Sequence, residues 1–420
     1  MSTIQPPITS HFTPSIAQIN TVQFGQVQVH YLHDHNCEIC KIEWVFKTGS
    51  SNQSKSLQAN FTANLMLEGI RGYNSKQFAQ KLDELGAYFG IECGKDYSSF
   101  TLHVLASHID EALDLICPIF IEPALTQGEF DNLVIESRQE YEHNLHNSGF
   151  LARQKLRKDL YNNHPYGKLA SKSSYDQINL QDVKDYANNN FLGKQYSLFL
   201  SGKVSESVLS SIQTKIAESG KLTMIPAIVG STAKSITGLT RINHNTAKQD
   251  AVRMGINVPG QSHKDFLTLN LLNTILGGYF GARLMQNIRE EKGWTYGINS
   301  SITPGTQICS LTIGTDVLNG KGDECIDEIK KEIRKLQEVK ISSQELEKVS
   351  AYTKGNLLRS FDGVFQQMDR FQSAHLFGLT TEHYLDYMAL LNEVSNDAIQ
   401  NVANKYLNID DFTEVIVSNQ

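Results

Sequence analysis

The chain copies itself at a fixed offset of about half its length, and this repeat constrains its fold more than any other feature. Thr126-Gln-Gly-Glu129 has the T-x-x-E form of a helix capping box, and Phe130, Leu133 and Val134 follow it at helical spacing. Ser342-Ser-Gln-Glu345 has the S-x-x-E form and is followed by Leu346 and Val349. The two glutamates are offset by 216 in the numbering (345 − 129), and so are Ala187-Asn188 in DVKDYANNNFL and Ala403-Asn404 in AIQNVANKYL (403 − 187). Two unrelated features at one offset point to a duplicated domain. The length of 420 residues, more than a single core usually carries, agrees with that.

The local patterns repeat as well. Val27–Tyr31 alternates and reads as a strand, and a second strand over Ile42–Lys47 ends at Thr48-Gly49-Ser50. A helix is predicted over 57–67, stopped by Gly69, then a short helix over 77–85, a strand pair near 88–105 and helices over 107–120 and 127–145. In the second half Val252–Val258 reads as a strand, and a helix over 264–276 ends at Gly277-Gly278, a C-cap signal. A helix over 281–291, strands near 295–315 and a long helix over 321–337 complete the pattern. Residues 219–245 are rich in Gly, Ser and Thr without helical period and read as a linker. The expected architecture is α+β: an N-terminal domain over 1–218, the linker, and a C-terminal domain over 246–420.

Composition narrows the function. A net charge of −7 gives no reason to expect nucleic-acid or anionic-membrane binding. No apolar run reaches the 18 or so residues of a membrane span. The N-terminal MSTIQPPITSHFTPS lacks a basic n-region and an apolar h-region, so it does not read as a secretory signal, though a trimmed signal stays open. Six cysteines show no disulfide framework and read as free thiols, mostly buried. His33-Asp-His35-Asn-Cys37-Glu-Ile-Cys40 is the only His/Cys cluster. On an extended segment Cys37 and Cys40 point to opposite faces, so it reads as a polar hairpin tip rather than a metal site.

The segment Leu276-Gly-Gly-Tyr-Phe-Gly-Ala-Arg-Leu-Met-Gln-Asn-Ile-Arg-Glu-Glu-Lys-Gly-Trp-Thr-Tyr-Gly297 resembles the LGGG-x-x-SRL-x-x-x-IRE-x-x-GL-x-Y segment of the M16 (insulinase, pitrilysin) peptidases, and His164-Pro-Tyr-Gly167 is similar to that family's HPYG turn. The resemblance runs from about Gln23 to Val415. It implies two homologous α/β-sandwich domains of the LuxS/MPP-like metallohydrolase type, each a mostly antiparallel sheet with helices packed on one face.

The same resemblance implies a zinc site of the form H-x-x-E-H on a helix. Two His at i and i+4 share one helix face and hold the ion, the Glu deprotonates its water, and a further Glu follows roughly 75 residues on. Alignment on Gly69 places Asn60 and Asn64 at the two His positions and Ala63 at the Glu position, with Glu140 at the third-ligand position. Amides are poor zinc ligands and a methyl group accepts no proton. Neither a metal nor another cofactor is therefore expected in this chain. Glu140 by itself reads as a solvated helix residue.

In bacterial two-subunit M16 pairs one subunit carries the zinc motif and the other an Arg and a Tyr seven residues apart. Here those positions are Arg289 and Tyr296. The resemblance implies that they act in trans on a peptide held at the zinc of a homologous H-x-x-E-H subunit. Arg keeps its charge and a Tyr hydroxyl donates to a developing oxyanion. Read without the motif, Arg289 is a surface residue near a helix C-terminus and Tyr296 half-buried packing at a strand start. Gly277 and Gly278 serve either close approach of a peptide backbone or only the helix cap, and Phe280 either a substrate surface or the core. His164 reads as structural, and Lys330–Lys335 as the wet face of a helix. The expected function is a zinc-less subunit that binds a peptide or small unfolded protein and completes a partner's active site. The alternative is an inactive homologue that binds peptides or scaffolds an assembly, including as a homodimer. The free thiols favour the cytoplasm, whereas many bacterial members of the family act in the periplasm.

Overall fold

The computed structural model describes residues 15–70, 72–226 and 233–419. The signal-peptide reading of the first residues and part of the expected linker (227–232) lie outside the described residues. Among the described residues eleven strands form two sheets. The first contains β1 (Asn20–Phe24), β2 (Val27–His33), β3 (Ile39–Phe46), β4 (Tyr88–Cys93), β5 (Ser98–Leu105) and β6 (Ser197–Gly202) in the order β1-β2-β6-β3-β5-β4. The second contains β7 (Gly238–Asn243), β8 (Gln249–Val258), β9 (Ile298–Thr303), β10 (Cys309–Leu318) and β11 (Thr413–Ser418) in the order β7-β11-β8-β10-β9. Setting aside β1, the orders are the same, and each sheet is antiparallel but for one parallel pair, β2 with β6 and β7 with β11.

The sequence offset holds in three dimensions. Helices Gln127–Asn144, Ser148–Tyr161 and Leu180–Asn190 each precede their counterparts Ser343–Arg359, Val364–Leu376 and Asn396–Tyr406 by that same offset, and β6 precedes β11 by it as well (343 − 127, 364 − 148, 396 − 180, 413 − 197). The two caps work as their side chains suggest: the Thr126 hydroxyl accepts from the Glu129 amide and the Ser342 hydroxyl from the Glu345 amide. Ala187 and Ala403, the matched alanines, are both fully buried.

Each sheet buries one face under its own half's helices. In the first half Phe46, Phe100, Phe120 and Phe191 meet edge-on or tilted at centroid separations of 5.0–5.9 Å. In the second, Met254, Ile256, Leu311 and Ile313 pack on Leu269, Leu272 and Ile329. Full burial of such side chains contributes roughly 1.5–3 kcal/mol each. The expectation that helices cover one face only is incomplete. The opposite faces are covered reciprocally: helix Ser148–Tyr161 of the first half lies on β8 and β11 of the second, and its counterpart Val364–Leu376 lies on β2 and β6 of the first. Ala152 and Leu156 pack there on Ala251, Val415 and Val417, and Met368 packs on Val45 and Phe199.

Two further readings change. The expected linker contains β7, an exposed edge strand paired on one side only, so its side chains carry little apolar alternation to betray it. The helix expected over 281–291 is a π-helix over Met285–Glu291, with the Lys292 amide reaching back to the Asn287 carbonyl at 3.1 Å. All six cysteines are free; Cys40, Cys309 and Cys325 are buried and the others half-buried.

Candidate functional site

Helix Gln58–Met66 carries the three positions expected to replace the zinc motif. It starts from Leu57 in the left-handed region (φ 77°), a costly conformation for a residue with a branched side chain. The buried Gln58 holds that turn: its Oε1 accepts from the Ser54 and Lys55 amides at 3.0 and 2.9 Å, and its Nε2 donates to the Asp182 carbonyl. Phe61 and Leu65 pin the inner face against Phe130 of helix Gln127–Asn144. On the outer face the two amides are linked, Asn64 Nδ2 donating to the Asn60 carbonyl at 2.8 Å and to Asn60 Oδ1 at 3.1 Å. Ala63 is fully buried and Glu140 is exposed on the neighbouring helix. A zinc ion does not fit this donor set of two mutually bonded amides and a methyl group. No group of three or more metal-binding side chains occurs among the described residues. In the β2–β3 connection His33 Nε2 and His35 Nδ1 pair with each other at 3.0 Å, while Cys40 turns into the core.

The second half presents the other candidate residues at the end of the π-helix. Ile288 is fully buried and Asn287 donates to Glu328 and Glu332 at 2.9 and 2.7 Å, so this face is anchored. Arg289, next along, is half-exposed. Its guanidinium lies 4.8 Å from the Phe280 ring centroid, a cation–π contact, with the Glu290 carboxylate at 3.4 Å. Phe280 is 62% exposed, which removes the core reading of that residue. Gly293 (φ 65°) ends the helical segment, and Tyr296 follows two residues before β9. Tyr296 is 92% exposed and has no hydrogen bond or ring contact among the described residues, so the half-buried packing reading fails. The structure therefore brings Arg289 and Phe280 together and leaves Tyr296 standing free on the same connection.

The two glycines have internal causes. A side chain at Gly277 would begin 2.7 Å from Ser300 Oγ, where the end of helix Phe266–Gly277 crosses β9. Gly278 is right-handed (φ −83°), not the left-handed cap its position suggests, and a side chain there would meet Thr274 Cα at 2.7 Å. His164 is structural: buried, it pairs with Gln307 at 2.9 Å and accepts from the Tyr166 amide, tying the first half to the β9–β10 turn.

With this geometry in view the comparisons are specific. Residues 28–172 match the model of the insulinase family, peptidase family M16, and residues 177–351 match the model of the peptidase M16 inactive domain. The chain belongs to the M16 peptidase family. A Bacillus subtilis protein named uncharacterized zinc protease YmxG is 23% identical over 333 residues, 77% of this chain and 79% of its own length. A Helicobacter pylori protein named non-peptidase homolog YmxG is 22% identical over 406 residues, 94% and 93% of the two chains. The crystal structure of a peptidase M16 inactive domain from Pseudomonas fluorescens superposes with a TM-score of 0.85 at 22% identity, covering 96% of this chain and 99% of that one. That of a protease from Helicobacter pylori gives 0.84 at 18% identity, covering 96% and 100%. At these identities the structural likeness establishes the M16 fold. Among the described residues no helix is long and apolar enough to cross a membrane.

Sequence reasoning missed a cavity of about 500 Å³ between helix Ser148–Tyr161 and the β9–β10 end of the second sheet. Its lining comes from both halves, so no local pattern in either could have revealed it.

Proposed function

We propose that this M16 chain is the zinc-less subunit of a two-subunit peptidase, binding an extended peptide and presenting Arg289 and Tyr296 to the active site of a homologous subunit that carries H-x-x-E-H. The observation that carries the reading is Tyr296: a large aromatic side chain 92% exposed, without a hydrogen bond or ring contact among the described residues, seven residues beyond an arginine held by Phe280. The replacement of both imidazoles and the general base at Asn60, Ala63 and Asn64 supports the same division of labour. In a closed chamber the Tyr296 hydroxyl and the Arg289 guanidinium donate to the oxygen on which negative charge develops as a peptide bond is attacked. Loss of one such donor costs about two to three orders of magnitude in turnover.

The test combines the chain with a homologous H-x-x-E-H subunit and measures peptide hydrolysis. Arg289→Ala and Tyr296→Phe are expected to lower turnover by about 100- to 1,000-fold while the two subunits still co-elute. Unchanged turnover in both variants rejects the role in catalysis. A stable homodimer that forms no complex with such a subunit favours instead a peptide-binding or scaffolding homologue.

A further inference from the structure

The duplication allows the two reciprocal helix–sheet contacts to be compared residue by residue, and they differ in charge. On the first sheet Glu43 of β3 pairs across from Phe199 and Lys41 from Ser201; on the second, the equivalent partners Val415 and Val417 stand across from Arg253 and Ala251. Glu43 and Arg253 are therefore equivalent, as are Lys41 and Ala251. On the covering helices Asp369 and Arg153 are equivalent, separated by the repeat offset (369 − 153). In the first contact the acids Glu43 and Asp369 are bridged by Lys41, at 2.9 and 2.6 Å. In the second contact two guanidiniums face each other, and the bridging position is the methyl group of Ala251.

Among the described residues no carboxylate supplies the bridge. Arg253 is buried, and its bonds to the Val252 and Thr315 carbonyls and to Asp316 all leave from Nη1. Its Nη2 lies 2.9 Å, Asn147 Oδ1 3.2 Å and Arg153 Nη1 3.5 Å from the point where a side chain at Gly149 would begin; the glycine keeps a side chain out of that space, and the amide oxygen beside it is engaged by the Phe150 amide. Arg153 is exposed and has no carboxylate partner among the described residues. Arg157 donates only to the Tyr166 carbonyl, and the Lys95 ammonium lies over the Tyr161 and Tyr166 rings at 4.6 and 4.9 Å. All four cations line the 500 Å³ cavity, against one acid, Asp316. On a chain of net charge −7 such a concentration of positive charge makes a local well for anions. The floor is the polar face of β9, with Asn299, Ser301 and Thr303 exposed along it, and β9 has no strand on its other side. The space far exceeds a single small anion, and an unpaired strand edge is the element to which extended peptides add.

We propose that this trough binds an extended peptide through a carboxylate that bridges Arg153 and Arg253, the role Lys41 fills with opposite sign in the other half, with the peptide running along β9. As a statement about substrate this rests on the partner-subunit reading and specifies carboxylate-bearing peptides; as a statement about binding it stands on the chain alone. The carboxylate comes either from an acidic side chain or from the peptide's C-terminus.

Titration calorimetry on the full chain without a partner tests it, using three peptides of one length: one with acidic side chains and an amidated end, a neutral one with a free C-terminus, and the neutral one amidated. At least one carboxylate-bearing peptide is expected to bind tenfold or more tighter than the neutral amidated control, and to weaken as salt is raised. Binding of only the first assigns side-chain carboxylates, and of only the second the chain terminus. Arg153→Glu, an exposed position where the new carboxylate meets Arg253, is expected to lower that affinity at least tenfold without lowering the melting temperature, while Arg153→Lys retains part of it. Equal affinity for all three peptides, undiminished binding by Arg153→Glu, or heat from inorganic phosphate but from none of the peptides overturns the proposal. Peptide binding by the chain beside unchanged turnover of Arg289 and Tyr296 variants would reject the catalytic reading and leave this one standing.

Discussion

His30 lies where the two halves meet, its ring 5.0 Å from Phe199, 4.9 Å from Phe371 and 4.5 Å from His375. Burial, and then the neighbouring His375, hold its imidazole down at about 4 from the ordinary 6.5, and burial lowers His375 as well. The unfolded chain thus takes up protons that the folded one refuses. Stability is complete above about pH 6.5 and falls as the pH drops toward 4, by on the order of 2–3 kcal/mol for His30 alone. Melting temperature followed from pH 7 to 4 should decline, and His30→Phe should flatten that decline; an equally steep slope in the variant contradicts the assignment. Nothing in the sequence around His30 announces this, because two of its three ring partners, Phe371 and His375, come from the other half. Residue chemistry was legible where it is local. Asn60, Ala63 and Asn64 lack zinc chemistry wherever they sit. The freedom of Tyr296 and the exposure of Phe280 were not legible, since exposure depends on what does or does not cover a side chain.

The helices Ser148–Tyr161 and Val364–Leu376 act as clasps, each covering the sheet of the half it does not belong to. Met368 is fully buried in one clasp, against Val45 and Phe199. Met368→Ala should cost about 2–5 kcal/mol, the usual range for emptying such a site, and lower the urea midpoint accordingly. A loss below about 0.5 kcal/mol, the size of a surface change, would mean that this helix is not held against β2 and β6. Strands and helices were readable where a capping box or apolar spacing is written within one element, as in Gln127–Asn144, whereas the helices Ser148–Tyr161 and Val364–Leu376 and the strands β6 and β11 were not predicted. An apolar stripe states that a helix is buried but not against what, so the exchange of clasps was hidden. The π-helix was hidden for a related reason: its extra residue is absorbed by the buried Asn287 and its contacts with Glu328 and Glu332, which come from a helix some forty positions away.

Across the chain, the repeat foretold two like sheets and the matched helices, and the proposed function rests on where the two copies differ. One copy has amides and a methyl group at the positions that the resemblance aligns with the imidazoles and carboxylate of a zinc helix. The other presents Arg289 and an exposed Tyr296, the tyrosine next to Gly297 in the lining of a cationic trough shared by both halves. On the proposed reading Arg289 and Tyr296 supply donors to a peptide and the partner subunit activates the water. The decisive assay is hydrolysis of a quenched fluorescent peptide library by the purified, zinc-supplemented chain, first without and then with a homologous H-x-x-E-H subunit. No cleavage by the chain by itself, and cleavage that appears with the second subunit and falls in Arg289→Ala, is the predicted result; zinc-dependent cleavage by the chain by itself, lost in an Asn60→Ala/Asn64→Ala variant, would contradict it.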